Sequence, residues 1–232
     1  MIRSARCGGI ELGAGESITP QRHLYDELVH VVAGHGFTTI WNDRGDRTTF
    51  EWSDGALFAI PLNVHYQHHN ASRVDPARLV ATNNAPVYMN LIHNLDFIFG
   101  TDFDFTDRFT GDTQFDGDTV DQGFRLWETN FIADVNQVPL IKRPTRGGSN
   151  RQLELVNSSI GAHLSEFPVG TYKKAHRHGA GTHIVITSGE GYSLMWREGE
   201  RIETVEWKRG AFVAPPDRWF HQHFNTMPQF SE

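Results

Sequence analysis

The stretch Ala175–Trp196, AHRHGAGTHIVITSGEGYSLMW, sets three histidines within eight positions and then runs into an apolar, β-branched segment closed by Gly-Glu-Gly. The same frame occurs 155 residues earlier in Pro20–Trp41, PQRHLYDELVHVVAGHGFTTIW, and the two register without a gap. Gly15 meets Gly170, Arg22 and His23 meet Arg177 and His178, and Gly34 and Gly36 meet Gly189 and Gly191. The match continues through Trp41 on Trp196, Glu51-Trp52 on Glu206-Trp207, Gly55 on Gly210, Pro61 on Pro216, Gln67-His68 on Gln222-His223 and Asn70 on Asn225. Sixteen of the 56 positions from Gly15 to Asn70 are identical, so the chain carries two copies of one unit.

Each copy reads as β structure. LVHVVAGHGFTTIW and HIVITSGEGYSLMW are β-branched and aromatic runs broken by G-x-G, which supplies the backbone freedom of a tight turn. Polar loops follow (NDRGDR and REGER), then a short strand ending in Glu-Trp, a glycine turn and an apolar strand, GALFAIP or GAFVAPP. Helical periodicity is weak everywhere and is found only around Phe124 to Ile132. Short strands punctuated by Gly and Pro predict an all-β chain with a sandwich or small barrel in each half. Residues 1–95 are expected to form the first barrel, 96–140 an acidic linker rich in Phe and Asp, and 141–232 the second barrel. The linker lacks the ordered spacing and closing Glu of a calcium loop. After copy one, ARLVATNNAPVYMNLIHN supplies a further strand's worth of apolar residues, whereas copy two stops seven residues after Asn225. The second barrel is therefore expected to be short of its last strand, with an edge left to be covered.

A chain of 232 residues with 38% hydrophobic content can bury a core without staples. Its net charge of −7, with Lys and Arg spread thinly, argues against nucleic acid and acidic membranes as partners. Cys7 is the single cysteine, which suits a reducing compartment, and no apolar run is long enough to span a bilayer. A cytoplasmic protein is expected. Its 13 histidines need explaining, since five of them fall between His176 and His223.

In a strand, alternate residues share a face, so His176 and His178 point the same way and Arg177 the other. A neighbouring antiparallel strand carrying His221 and His223 brings three or four ring nitrogens toward one point. The order Gly170, His176-Arg177-His178, Gly189, then Gly210, Pro216, His221 and Asn225 resembles the paired motifs of the cupin superfamily, and the duplication makes the chain similar to a bicupin. The resemblance implies two tandem double-stranded β-helix, jelly-roll-like barrels and a divalent metal held by His176, His178 and His221. Thr182 falls where those proteins carry a Glu. The three-histidine variant, with HRH, GEG and P-x-x-x-x-H-x-H-x-N, is most similar to gentisate and 1-hydroxy-2-naphthoate dioxygenases, which implies non-haem Fe(II).

Copy one offers Gln21, His23, Glu27 and Tyr66 at the four matching positions, a weaker donor set, with His65, His68 and His69 nearby. His183 and His223 stand as ligand or pocket candidates beside Thr182. Trp219 either lines an aromatic pocket or packs the core. His163 is read as structural, Gly189, Gly191 and Gly210 as turn positions, and Arg177, Lys173 and Lys174 as a solvated rim.

Three functions follow from these readings. The first is an Fe(II) dioxygenase acting on a small aromatic or other hydroxy-acid, in which three neutral imidazoles leave the full 2+ charge and open positions for substrate and O₂. The second is a Mn(II) or Zn(II) bicupin decarboxylase, lyase or isomerase of a small organic acid. The third is a non-catalytic cupin that binds a small molecule. The expected partner is a small carboxylate, and a homodimer is the expected assembly.

Overall fold

A computed structural model describes residues 5–111, 115–143, 148–179 and 181–226. The chain divides into two compact units, Met1–Gln137 with Gln152–Ala162, and Val138–Arg151 with His163–Glu232.

The first unit contains β1 (Arg6–Leu12), β2 (Glu27–Ala33), β3 (His35–Trp41), β4 (Arg47–Ser53), β5 (Leu57–Ile60), β6 (His65–Asn70) and β7 (Ala77–Asn83). The helices α1 (Ala85–Ile92) and α2 (Leu95–Gly100) come next, then β8 (Thr119–Asp121), β9 (Leu126–Thr129) and β10 (Phe131–Ile132). A five-stranded sheet in the order β1-β7-β2-β5-β10 faces a three-stranded sheet, β4-β3-β6. Between them Phe58 of β5 meets Phe50 of β4 and His68 of β6, with ring centroids 5.0 and 5.9 Å apart. The alternation predicted from sequence is plain in β6, where Tyr66, His68 and Asn70 are buried and the residues between them less so. Gly34 joins β2 to β3 with φ +94°, and a Cβ there would fall 2.8 Å from Ala77 Cα, so both the turn and the close approach of β7 require glycine.

The region between the copies is more structured than a linker. Phe109 and Phe115 are buried, Phe115 stacks on Phe50 at 4.6 Å, and β10 extends the large sheet by pairing with β5. The apolar residues after copy one make one strand, β7, and then the helix α1, which begins where Pro86 occupies the first turn. Conversely, the weakly helical stretch 124–132 forms β9 and β10. Leu126, Trp127 and Glu128 are held in extended form by parallel pairing with Gln152, Leu153 and Glu154.

The remaining strands are β11 (Ile141–Lys142), β12 (Ser149–Glu154), β13 (Ala162–Glu166), β14 (Ile184–Val185), β15 (Glu190–Trp196), β16 (Glu203–Lys208), β17 (Phe212–Val213) and β18 (Phe220–Asn225). In the second unit β15 and β18 occupy the spans of β3 and β6 moved by 155 residues, and the sheet order β16-β15-β18 repeats β4-β3-β6. Met195, Trp207 and Val213 form its core, with Phe167, Ile184, Ile186, Ala211 and Trp219 packed around them. Opposite stands the two-stranded sheet β14-β17, the counterpart of β2-β5. Among the described residues no strand takes the place of β7 beside β14. No helix among the described residues is long and apolar enough to cross a membrane.

Candidate metal centre

His176 enters the site through a bridge to β18: its N–H donates to the carbonyl of His221 at 3.1 Å, and the N–H of His221 returns to the carbonyl of His176 at 2.9 Å. The copy-one equivalents, Gln21 and Tyr66, make the same bridge at 2.9 Å in both directions. His178 lies two residues on, where its carbonyl accepts from Arg218 N–H. One ring nitrogen from each of His176, His178 and His221 lies within 4.8 Å of the others, and these three are the only such group of His, Cys, Asp and Glu among the described residues.

The hydrogen bonds of these rings fix their tautomers. Nδ1 of His176 lies 3.0 Å from the Lys174 carbonyl, Nδ1 of His178 2.9 Å from the Gly179 carbonyl, and Nδ1 of His221 3.3 Å from the Trp219 carbonyl. A carbonyl only accepts, so each Nδ1 carries the hydrogen and each Nε2 keeps its lone pair. This is the tautomer and outer support that metal-bound imidazole needs. Burial, together with the neighbouring His176, pushes the His221 pKa down to about 4, so that ring is neutral through the physiological range. Three imidazole nitrogens so placed fit a divalent ion. Two nitrogens on one ion lie at most about 4.2 Å apart at bond lengths near 2.1 Å, so the rings draw in slightly when they share one.

The other candidates have different placements. The Thr182 hydroxyl contacts His178 Nδ1 at 3.3 Å, supporting that ring from behind. His183 turns away from the cluster and packs on Phe212 at 5.3 Å. Trp219 packs in the core, and its carbonyl, not its ring, reaches the site. His223 shares the inward face of β18 with His221, their ring centroids 5.5 Å apart, and its Nδ1 lies 2.6 Å from Ser193 Oγ. Burial, followed by the charges of His221, His176 and Lys173, pushes its pKa down to about 4.

Arg177 lies on the rim as expected, over the Phe220 ring and 3.7 Å from Glu198. Lys173 departs from that expectation: it is half-buried, its ammonium group is bonded to Ser165 Oγ, and burial lowers its pKa. Strand alternation gave no sign of this, since it places Lys173 opposite His176. Partial desolvation of the ring, the charge of Lys173 and those of His176 and His178 also lower the pKa of His163 on β13.

The four copy-one positions do not converge. Gln21 is exposed, and its amide bonds back to the Thr19 carbonyl and hydroxyl, both at 3.1 Å. The other three form a closed buried set. His23 Nδ1 lies 3.0 Å from the Tyr25 carbonyl, its Nε2 lies 3.2 Å from the Tyr66 hydroxyl, and that hydroxyl donates to Glu27 Oε1 at 3.1 Å. Asn83 donates to Glu27 Oε2 at 2.9 Å. Burial raises the Glu27 pKa, but the hydrogen bond and charge of His23 outweigh it and hold the carboxyl below its usual range. His65 stacks on Trp41, and His69 stacks on Phe37 with Nδ1 on Ser17, so neither supplies a replacement ligand.

No protein-family model matches the sequence, and no curated protein matches it. Solved structures do match in fold. A Bacillus subtilis oxalate decarboxylase structure concerned with its Mn(II) centres aligns with TM-score 0.59 and 16% identity over 96% of this chain and 66% of the other. An oxalate decarboxylase structure addressing substrate binding mode and reaction specificity aligns with TM-score 0.59 and 15% identity over 97% of this chain and 66% of the other. The chain thus spans just under two thirds of the length of these proteins, and neither is a ring-cleaving dioxygenase. What the two units share with them is the fold, two tandem barrels of the cupin type.

Proposed function

We propose that the second barrel binds one divalent metal through Nε2 of His176, His178 and His221 and acts on a small carboxylate, in the manner of a Mn(II)-dependent decarboxylase. The observation that carries this reading is the shared tautomer: three imidazoles, His221 buried, His178 half-buried and His176 exposed, with one ring nitrogen of each within 4.8 Å of the others and Nδ1 hydrogens all committed to backbone carbonyls. Mn(II) and a carboxylate substrate come from the oxalate decarboxylases that share the fold. Once bound, the metal supplies Lewis-acid polarisation of a chelated carboxylate.

The chain's own residues select the charge of the substrate. With Thr182 in the fourth position, no carboxylate offsets the 2+ charge, and the groups that lower the pKa values of His163 and His223 are all cationic or imidazole. Lys173 adds an ammonium group on the same side, so an anion with two oxygen-bearing ends is the complement of this interior. His178 and His221 are held in place by the carbonyls of Gly179 and Trp219.

The absence of a carboxylate from the ligand set also favours a second reading, an Fe(II) dioxygenase acting on a hydroxy-acid, because it leaves the metal at full charge with open positions. One series of measurements separates the readings. Protein purified without added metal and then titrated with Mn(II) and Fe(II) should bind one ion per chain, and His176→Ala and His221→Ala should each lose it. Retention of stoichiometric metal in both variants overturns the site. Release of CO₂ from oxalate or a related acid by Mn(II)-loaded protein supports the decarboxylase. Oxygen uptake with hydroxybenzoates by Fe(II)-loaded protein, without CO₂ release from the Mn(II) form, replaces it with the second reading.

A further inference from the structure

We propose that Trp207 and Ser193 are positioning residues that hold His223 as its Nε2–H tautomer, a hydrogen-bond donor for an oxygen of the anion bound beside the three-histidine cluster. This rests on the second barrel being a metal and carboxylate site, and it adds a device that distinguishes one of four inward imidazoles from the other three.

The indole N–H of Trp207 can only donate, and it lies 3.0 Å from Ser193 Oγ, where it occupies a lone pair. Ser193 is fully buried, and among its described contacts His223 Nδ1, 2.6 Å away, is the acceptor open to its hydroxyl hydrogen, so the hydrogen is assigned there. Nδ1 accepts, so the neutral ring carries its hydrogen on Nε2. His176, His178 and His221 have the opposite arrangement, with hydrogen on Nδ1 and the lone pair on Nε2. Three rings can therefore hold a cation while the fourth donates to what the cation holds.

Packing fixes the relay. Ser193 is fully buried and stands directly opposite His223 in the β15–β18 register. Trp207 reaches it across the sheet because Gly191 has no side chain: a Cβ there would fall 2.7 Å from the indole Cη2 and closer still to the Phe224 carbonyl. His223 shares the inward face of β18 with His221, which places its free nitrogen on the side of the cluster.

The first unit carries the same relay 155 residues earlier. Trp52 donates to Thr38 Oγ1 at 2.9 Å, Thr38 Oγ1 lies 2.8 Å from His68 Nδ1, and Gly36 makes room for the indole. There His68 Nε2 is buried with no hydrogen-bond partner. The relay thus points a donor inward in both barrels. In the second barrel that donor shares the interior with three free lone pairs, and in the first the lone-pair set is gone.

The test uses the full chain labelled with ¹⁵N-histidine. Long-range ¹H–¹⁵N correlation spectra of the metal-free protein at neutral pH should show His223 as the Nε2–H tautomer and His176, His178 and His221 as Nδ1–H. Ser193→Ala and Trp207→Phe should each shift His223 to a mixture, whereas Ser193→Thr, which imports the residue of the first barrel, should retain Nε2–H. In Mn(II)-loaded protein, Ser193→Ala should weaken oxalate binding by the reciprocal of the Nε2–H fraction that the spectra show, about twofold for an even mixture, at unchanged Mn(II) affinity. Ser193→Thr should restore it. An Nδ1–H tautomer at His223 in the wild type, or unchanged oxalate affinity in Ser193→Ala, overturns the proposal. Failure of the wild type to bind Mn(II) instead removes the metal reading and the anion contact with it, leaving the tautomer assignment to stand or fall on the spectra.

Discussion

His68 gives the first barrel a built-in sensitivity to acid whose size follows from its surroundings. The ring is fully buried, its Nδ1 takes the Thr38 hydroxyl, and its Nε2 has no partner. Phe58 and Tyr66 pack against it at 5.9 and 5.2 Å. Burial pushes its pKa down to about 4, the charge of Glu27 pulls it back, and His69 adds a smaller push downward. In the unfolded chain a histidine titrates near 6.5. The fold therefore binds fewer protons than the unfolded chain between these values, and stability rises with pH across that window. Above about 6.5 both states are neutral and nothing is lost. As the pH falls from 6.5 toward 4 the unfolded chain gains the proton first, which costs about 2 kcal/mol by pH 5 and about 3.4 kcal/mol once both states are charged.

The assay is urea unfolding at pH 7.5 and pH 5, read from the amide signals of β6, for the wild type and His68→Gln. The substitution itself costs stability at both pH values. The informative quantity is the difference between the pH dependences: the wild type should lose about 2 kcal/mol more than the variant on going to pH 5. Parallel losses in the two proteins would refute the reasoning and show that His68 takes up its proton without unfolding.

Gly191→Ala should destabilise the second unit by about 1–3 kcal/mol or more, because the new Cβ meets both the Phe224 carbonyl and the Trp207 ring, and thermal unfolding should show a lowered Tm. Gly8→Ala, where a Cβ meets nothing within 4 Å, is the control and should leave the Tm nearly unchanged. Tyr66→Phe should cost about 1–3 kcal/mol in denaturant unfolding, since it removes the hydroxyl that contacts His23 Nε2 and donates to the buried Glu27 Oε1, which then lacks that donor.

The repeat made much of the fold legible. A constant offset of 155 places β15 and β18 on the spans of β3 and β6, because strand pairing with period 2 tolerates substitutions that keep the inward face inward. What the alternation could not supply is which polar atom each inward side chain meets. Trp52 and Trp207 were legible as a matched pair, yet their role as donors depends on a serine or threonine opposite a histidine on another strand, a register known only once β15 and β18 are paired. Gly191 reads as a turn residue from G-x-G but lies inside β15, where the constraint is the indole beside it. The helices at 85–100 were missed because α1 is only eight residues long, too short for its periodicity to stand out from that of a strand.

The divergence of the two barrels comes down to whether a donor hydrogen is available at the bridge between the first motif and β6 or β18. In the first barrel that position is Tyr66, whose hydroxyl donates to Glu27 Oε1 and contacts His23 Nε2 through its oxygen, so the buried set is joined side chain to side chain. In the second barrel the position is His221, whose only hydrogen is spent on the Trp219 carbonyl. The neighbouring His178 and His176 spend theirs on backbone as well, which leaves three acceptors facing one another with no donor among them. His221 is buried and His178 half-buried, while His176 stays exposed, so two of the three lone pairs are drawn from bulk water, and on the proposed reading a cation offsets that loss of hydration. A proton is disfavoured at His221, whose pKa is already pushed down to about 4, whereas the divalent ion of the proposed reading would meet all three acceptors at once. The backbone bridge is the same in both units, so the difference lies in its side chains: Gln21 and Tyr66 of the first become His176 and His221 in the second, Glu27 gives way to Thr182, and these exchanges together separate a buried set around a carboxylate from three imidazoles brought to one place.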